Sequence, residues 1–184
     1  MNRISKIVCL AVVAAFAMTL HGEEKRKTYS EPPPMKIDKD KKYTATIETS
    51  KGKIVCELFP KEAPITVNSF VFLAREKFFD GLNFHRVEDW VIQGGDPEGT
   101  GRGGPGYQIK NEGEQNTHTH DAGALAMARS QDPDSAGSQF YIVKQDAHWL
   151  DKKYTIFGKV TEGMDVVNKI AVGDEIKSVR IEEK

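Results

Sequence analysis

Cysteine is almost missing from this chain: 184 residues contain two, Cys9 and Cys56. Cys9 falls inside an N-terminal apolar run, so removing that run leaves Cys56 alone and excludes an intramolecular disulfide framework. Cys56 sits in the apolar alternation of a strand and reads as a small buried hydrophobe. A basic excess is missing too. Lys and Arg total 26 against 27 Asp and Glu, a formal net charge of −1, which argues against nucleic acid as a partner. No apolar run reaches the roughly 20 residues of a membrane-spanning helix, and no internal repeat is visible. The glycine-dense stretch Gly99-Thr100-Gly101-Arg102-Gly103-Gly104-Pro105-Gly106 has no following Lys-Ser/Thr and opens onto no helical pattern. It fails as a phosphate-binding loop and reads as a tight excursion between strands. Ser138 lacks the Gly-x-Ser-x-Gly elbow of a hydrolase.

What is present divides the chain into three parts. Arg3 and Lys6 precede an uncharged apolar run from Ile7 to Leu20. That is the layout of a secretory signal peptide over residues 1–22, or of an anchor if it is retained. The expected location is therefore export, to a periplasm or the extracellular space, with membrane contact only through a retained N-terminal segment. Residues 23–42 are charged, carry Pro32-Pro33-Pro34 and have few apolar side chains. Such a segment builds no core of its own and reads as an extended linker. The folded domain is expected over 43–184.

Within that domain, Tyr43 to Thr49 and Lys53 to Phe59 alternate about Ser50-Lys51-Gly52, the signature of a hairpin. Pro64 opens a helix in which Val67, Phe70, Val71 and Ala74 recur on one face. Short strand-like runs follow at Leu82–Val87, Trp90–Gln93, Leu125–Met127, Gln139–Val143 and Tyr154–Val160. A second helix is expected over Met164–Ile170 and a closing strand over Ile176–Ile181. Many short strands with few helices imply a mainly β sandwich or a closed barrel, between which periodicity does not choose.

Four blocks carry the chemistry: Phe84-His85-Arg86, Gln93-Gly94-Gly95-Asp96, Gly137-Ser138-Gln139-Phe140-Tyr141 and Trp149-Leu150-Asp151. In order and spacing, from about Tyr43 to the C-terminus, they resemble the active face of cyclophilin-type peptidyl-prolyl cis-trans isomerases. The resemblance implies a closed eight-stranded antiparallel barrel capped by two α-helices. It implies rotation of X-Pro bonds, with Arg86 and Gln93 catalytic. It places Trp90, Val91, Tyr141, Leu150 and Tyr154 around the proline ring, and Ala128, Arg129 and Ser130 along the bound peptide. Trp149 matches the tryptophan that binds cyclosporin in many members, so cyclosporin-like cyclic peptides join proline-containing polypeptides as expected partners.

The chain also departs from the family pattern. Arg86 to Gln93 is one residue shorter than in typical members. Val91 stands for a methionine, Tyr154 for a histidine that many members carry, and Arg129 for an asparagine.

No bond is broken in such a rotation, so neither nucleophile, metal nor cofactor is called for. His118, His120 and Asp121 have the donor types of a zinc site but lack a complete ligand set. The family often has a hydrogen-bonded histidine at His120, holding a turn. Alternation along a strand turns His85 to the face opposite Arg86. A barrel that merely docks a proline-containing partner is the alternative, and it would not require Arg86 and Gln93 together. With no large apolar surface evident, a monomer is expected.

Overall fold

The computed structural model describes residues 27–184, so the expected leader over 1–22 lies outside the described residues. The elements run β1 (Tyr43–Thr49), β2 (Gly52–Leu58), α1 (Pro64–Arg75), β3 (Leu82–Asn83), β4 (Arg86–Val87), β5 (Val91–Gly94), β6 (Ala124–Met127), β7 (Phe140–Val143), β8 (Ile156–Glu162), α2 (Met164–Lys169) and β9 (Glu175–Glu183). A short 3₁₀ turn, His148–Leu150, lies between β7 and β8.

Among the described residues the strands form one sheet in the order β3-β9-β1-β2-β8-β6-β7-β5-β4, every pair antiparallel. The expected closed barrel of eight strands is corrected to an open ladder of nine. The single strand expected over Leu82–Val87 is broken at Phe84 and His85, because its halves pair with different partners. Leu82 and Asn83 pair with β9, while Arg86 and Val87 pair with β5. Both ends of the sheet thus fall in one short segment, and the sheet curls round through covalent continuity with no ladder between β3 and β4.

Alternation along β5, β6 and β7 sorts side chains to two faces. Ile92, Leu125, Met127, Phe140 and Ile142 join the main core with α1, where Phe70 lies 5.1 Å from Phe79, 5.7 Å from Phe140 and 5.1 Å from Phe157, ring to ring. Val91, Ala124, Ala126, Tyr141 and Val143 face the other way and form a satellite cluster, with Trp90, Leu150 and Tyr154 packed against it. Burial on both faces explains why these strands read as continuous apolar runs.

Helix α1 begins at Pro64 with no side-chain cap of its own. Glu112, distant in sequence, accepts hydrogen bonds from the Ile65 and Thr66 N–H groups at 3.0 and 2.9 Å and from the Thr66 hydroxyl at 2.8 Å. A carboxylate there satisfies orphan donors and complements the helix dipole.

The segment before the domain is docked, in contrast to the tether its composition suggests. Tyr29 packs edge-on against Phe72 at 5.0 Å, and its N–H donates to the Pro105 carbonyl at 2.8 Å. Asn68 on α1 accepts from the Lys36 and Ile37 N–H groups at 2.9 and 3.3 Å and donates to the Pro33 and Pro34 carbonyls at 3.3 and 3.1 Å. Ile37 is buried with the main core. Gly106, at φ +96°, lets the strap approach, since a Cβ there would stand 2.5 Å from the Tyr29 carbonyl oxygen.

Candidate active site

The satellite cluster is the floor of the site. Strand register sets one row across the sheet: Arg86 opposite Gln93, Gln93 opposite Tyr141, and Tyr141 opposite Ala126. Above this row is a cavity of about 570 Å³ lined by Arg86, Trp90, Gln93, Ala128, Arg129, Tyr141, Trp149, Leu150 and Tyr154, together with His85, Thr100 and Gly101. Nine of the site residues expected from sequence therefore meet in one place. Two do not. Val91 shares the face of Gln93 on β5 but is fully buried in the satellite cluster, beneath the cavity, and so forms part of its floor without lining it. Ser130 lines a neighbouring cavity of about 840 Å³, its hydroxyl donating to that of Ser135 at 2.7 Å. The two cavities share Gln93, Gly101, Ala128 and Arg129 and so form one groove.

The Arg86 guanidinium is held in a defined plane. Its Nε donates to Glu88 at 2.7 Å and its Nη1 to Gln93 Oε1 at 3.0 Å, while Nη2 has no hydrogen-bond partner among the described residues. The Gln93 amide donates onward to Gln139 at 2.9 Å, which donates to the Gly103 carbonyl at 2.9 Å. Glu88 also accepts from Trp90 Nε1 at 2.8 Å, and the Arg86 Cζ lies 5.3 Å from the Trp90 ring centre. The hydrogen bond from Arg86 holds the Glu88 carboxyl below its ordinary range. Glu88 and Gln139 had no role in the sequence reading. The available signal for Glu88 was a carboxylate two residues beyond an arginine, a spacing that shares one face of an extended chain.

Arg129 acts as a staple. Its Nη1 donates to the Ser130 carbonyl at 2.8 Å and its Nη2 to the Lys153 carbonyl at 3.1 Å, with Cζ 4.4 Å from the Tyr154 ring centre. Tyr154 meets Tyr141 edge-on at 6.2 Å, and Trp90 meets Trp149 at 5.4 Å. Trp149 is 57% exposed, an apolar rim residue. His85 also departs from expectation. It is half-buried and lines the cavity instead of facing away, because residue 85 lies in the break between β3 and β4, where strand alternation does not apply.

The histidine and aspartate residues weighed for metal do not converge. His118 stacks on Phe59 at 3.9 Å, while His120 bonds Asp151 and Tyr141. A different trio, Asp121, Asp146 and His148, comes together within 4.8 Å, but all three are exposed. There His148 Nε2 stands 3.6 Å from Asp121 and 3.9 Å from Asp146, ion-pair distances at the surface.

A curled antiparallel sheet bearing an arginine, a glutamine and an aromatic-lined cavity on its outer face defines a class of prolyl-bond isomerases. Residues 44–184 match the family model described as cyclophilin type peptidyl-prolyl cis-trans isomerase/CLD, and the chain belongs to that family. It is 53% identical over 132 residues to peptidyl-prolyl cis-trans isomerase B of Bacillus subtilis, covering 71% of this chain and 92% of the relative. It is 51% identical over 138 residues to a peptidyl-prolyl cis-trans isomerase of Helicobacter pylori, covering 73% and 84%. A Cryptosporidium parvum cyclophilin type isomerase, solved in the presence of the dipeptide Ala-Pro, superposes with a TM-score of 0.71 at 30% identity, over 77% of this chain and 99% of that one.

Proposed function

We propose that this isomerase turns X-Pro bonds of exported polypeptides, with the prolyl ring in the cavity between Trp90, Tyr141, Leu150 and Tyr154 and with Arg86 as the electrostatic catalyst. The observation that carries the reading is the row Arg86–Gln93–Tyr141, which sets a fixed guanidinium beside an apolar cavity. Twisting a prolyl amide breaks its resonance, and the nitrogen gains a lone pair that neither planar form offers. A donor aimed at that nitrogen binds the twisted state selectively, which is the requirement for catalysis. The uncatalysed rotation takes tens to hundreds of seconds, so millisecond turnover needs about 10⁴-fold, or roughly 5–6 kcal/mol. One charge-assisted hydrogen bond contributes about 1.5–3 kcal/mol; the rest falls to the apolar walls and to Gln93 orienting the substrate backbone. Glu88 and Gln93 hold Arg86 before substrate arrives, which reduces reorganisation in the twisted state.

Export rests on the basic-then-apolar pattern of residues 1–22. Trp149 at the exposed rim gives a cyclosporin-like cyclic peptide an aromatic face to bind. Refolding of an exported protein limited by a trans-to-cis proline step tests the role. The native chain accelerates it and the Arg86→Ala variant does so about 10²-fold less well; equal acceleration by both sinks the assignment. The mass of the mature chain isolated from its host decides export, since an intact N-terminus in the cytoplasm would contradict it.

A further inference from the structure

His120 is wholly buried beneath the proline pocket, and every polar group it has is engaged. Its N–H donates to Asp151 Oδ1 at 2.7 Å, and its carbonyl accepts from the Ala147 N–H at 2.7 Å. Its ring Nδ1 lies 2.8 Å from the same Asp151 oxygen, and Nε2 lies 2.9 Å from the Tyr141 hydroxyl. Asp151 terminates the 3₁₀ turn that carries Trp149 and Leu150, while Tyr141 belongs to β7. One imidazole thus joins two walls of the cavity that share no β-ladder.

The chemistry of the partners fixes the tautomer. An ionised carboxylate only accepts, so Nδ1 carries the proton, Nε2 is the acceptor, and the Tyr141 hydroxyl donates to it. Burial holds the imidazole below its ordinary range, against the upward pull of Asp151. Burial pushes the Asp151 carboxyl up, but the hydrogen bonds from the His120 backbone and ring outweigh it and hold it low. The titratable groups facing His120 are Asp151 and His148 from the turn, Tyr141 from β7 and Asp121 beside it in sequence.

We propose that neutral His120 is the positioning residue of the proline pocket, holding Tyr141 and the Trp149–Leu150 turn at the separation the prolyl ring requires, and that protonating it loosens the pocket. The proposal rests on the reading that this cavity receives the prolyl ring. A proton on Nε2 replaces an acceptor with a donor. The Tyr141 hydroxyl then has to reverse its hydrogen bond and turn its own hydrogen into a buried, largely apolar cluster, displacing the ring that walls the cavity.

An acetylated Ala-Pro amide, titrated by NMR against the full chain across mildly acidic to neutral pH, tests this. Tyr141→Phe removes one oxygen and keeps the ring; its dissociation constant is expected to rise about three- to tenfold, leaving His120 Nε2 unsatisfied. His120→Asn gives the same loss, and the double variant is no weaker than the weaker single, since the two residues act as one unit. Wild-type affinity falls as pH drops through the folded imidazole's own value, which burial holds below the ordinary range. That dependence disappears in Tyr141→Phe and persists in His148→Gln. A folded Tyr141→Phe protein with wild-type affinity and wild-type pH dependence overturns the proposal, even if His120→Asn does not fold. Whether the wild type accelerates exchange at all decides the isomerase reading separately, because the affinity readout does not depend on catalysis.

Discussion

At the scale of single residues, the proposed mechanism depends on limiting what Arg86 can do. Of its donors, Nε and Nη1 are committed to Glu88 and Gln93, so the guanidinium is presented to the substrate in one orientation. Glu88→Ala frees it without removing the charge. The expected result is a three- to tenfold loss in kcat/KM, about 0.7–1.4 kcal/mol and the worth of one ordinary hydrogen bond, and a smaller loss than Arg86→Ala. Peptide isomerisation kinetics on both variants checks the order, and an unchanged Glu88→Ala rate would remove Glu88 from the site. Arg86, Gln93, Tyr141 and Trp149 were legible in the sequence because they sit in blocks whose order and spacing are distinctive, and Trp90 and Tyr154 because they lie a few residues from those blocks. Glu88 was not, since a carboxylate in a short connection looks like any solvated turn residue. Val91 lies on the face of Gln93, two residues on in β5, but it is covered by the satellite cluster, and that covering is a matter of tertiary packing that position in the sequence does not reveal.

At the scale of elements, the strap over residues 27–42 is the clearest lesson. Its sequence lacks apolar periodicity, and a reading based on composition makes it a tether. The structure docks it through the backbone, and backbone hydrogen bonds leave no trace in composition. A single side chain, Asn68, takes four strap groups. Asn68→Ala is expected to destabilise the domain by about 1–3 kcal/mol, the cost of leaving buried polar groups unpaired. It should also expose the strap to protease, while the rate on a short peptide changes little. Thermal unfolding and limited proteolysis together check this; an unaltered cleavage pattern would mean that the strap is held elsewhere. The broken strand at Leu82–Val87 was likewise unreadable, because its two halves serve opposite ends of the sheet and local pattern does not encode partners so distant in sequence.

At the scale of the whole molecule, acid should unfold this protein in two stages. His120 is depressed by burial from the ordinary 6.5, so the unfolded chain binds a proton first as pH falls. Its contribution is full above about 6.5 and is lost as pH drops through the folded value. For Asp96, burial raises the carboxyl, but the N–H groups of Glu98, Gly101 and Gly103 outweigh it and hold it low. Asp151 is low for its bonds to His120, and Glu183 is held at about 2 by hydrogen bonds from Lys41 and Arg75. These carboxylates contribute above about 4 and lose their contribution as pH falls further. The denaturant midpoint is expected to be flat near neutrality, to slope gently below about 6.5, and to fall steeply below about 4. A midpoint that rises on acidification would contradict the burial of neutral His120.

In the proposed mechanism a fixed guanidinium beside an apolar cavity lowers the barrier to X-Pro rotation. The direct measurement is cis-trans exchange of an Ala-Pro peptide by NMR, with the wild type and Arg86→Ala compared side by side. The expected result is fast exchange with the wild type and a loss of about 10²-fold in the variant, in line with removal of one preorganised donor, with the peptide still bound. Equal exchange rates from two folded proteins would contradict the claim and move the electrostatic role away from Arg86.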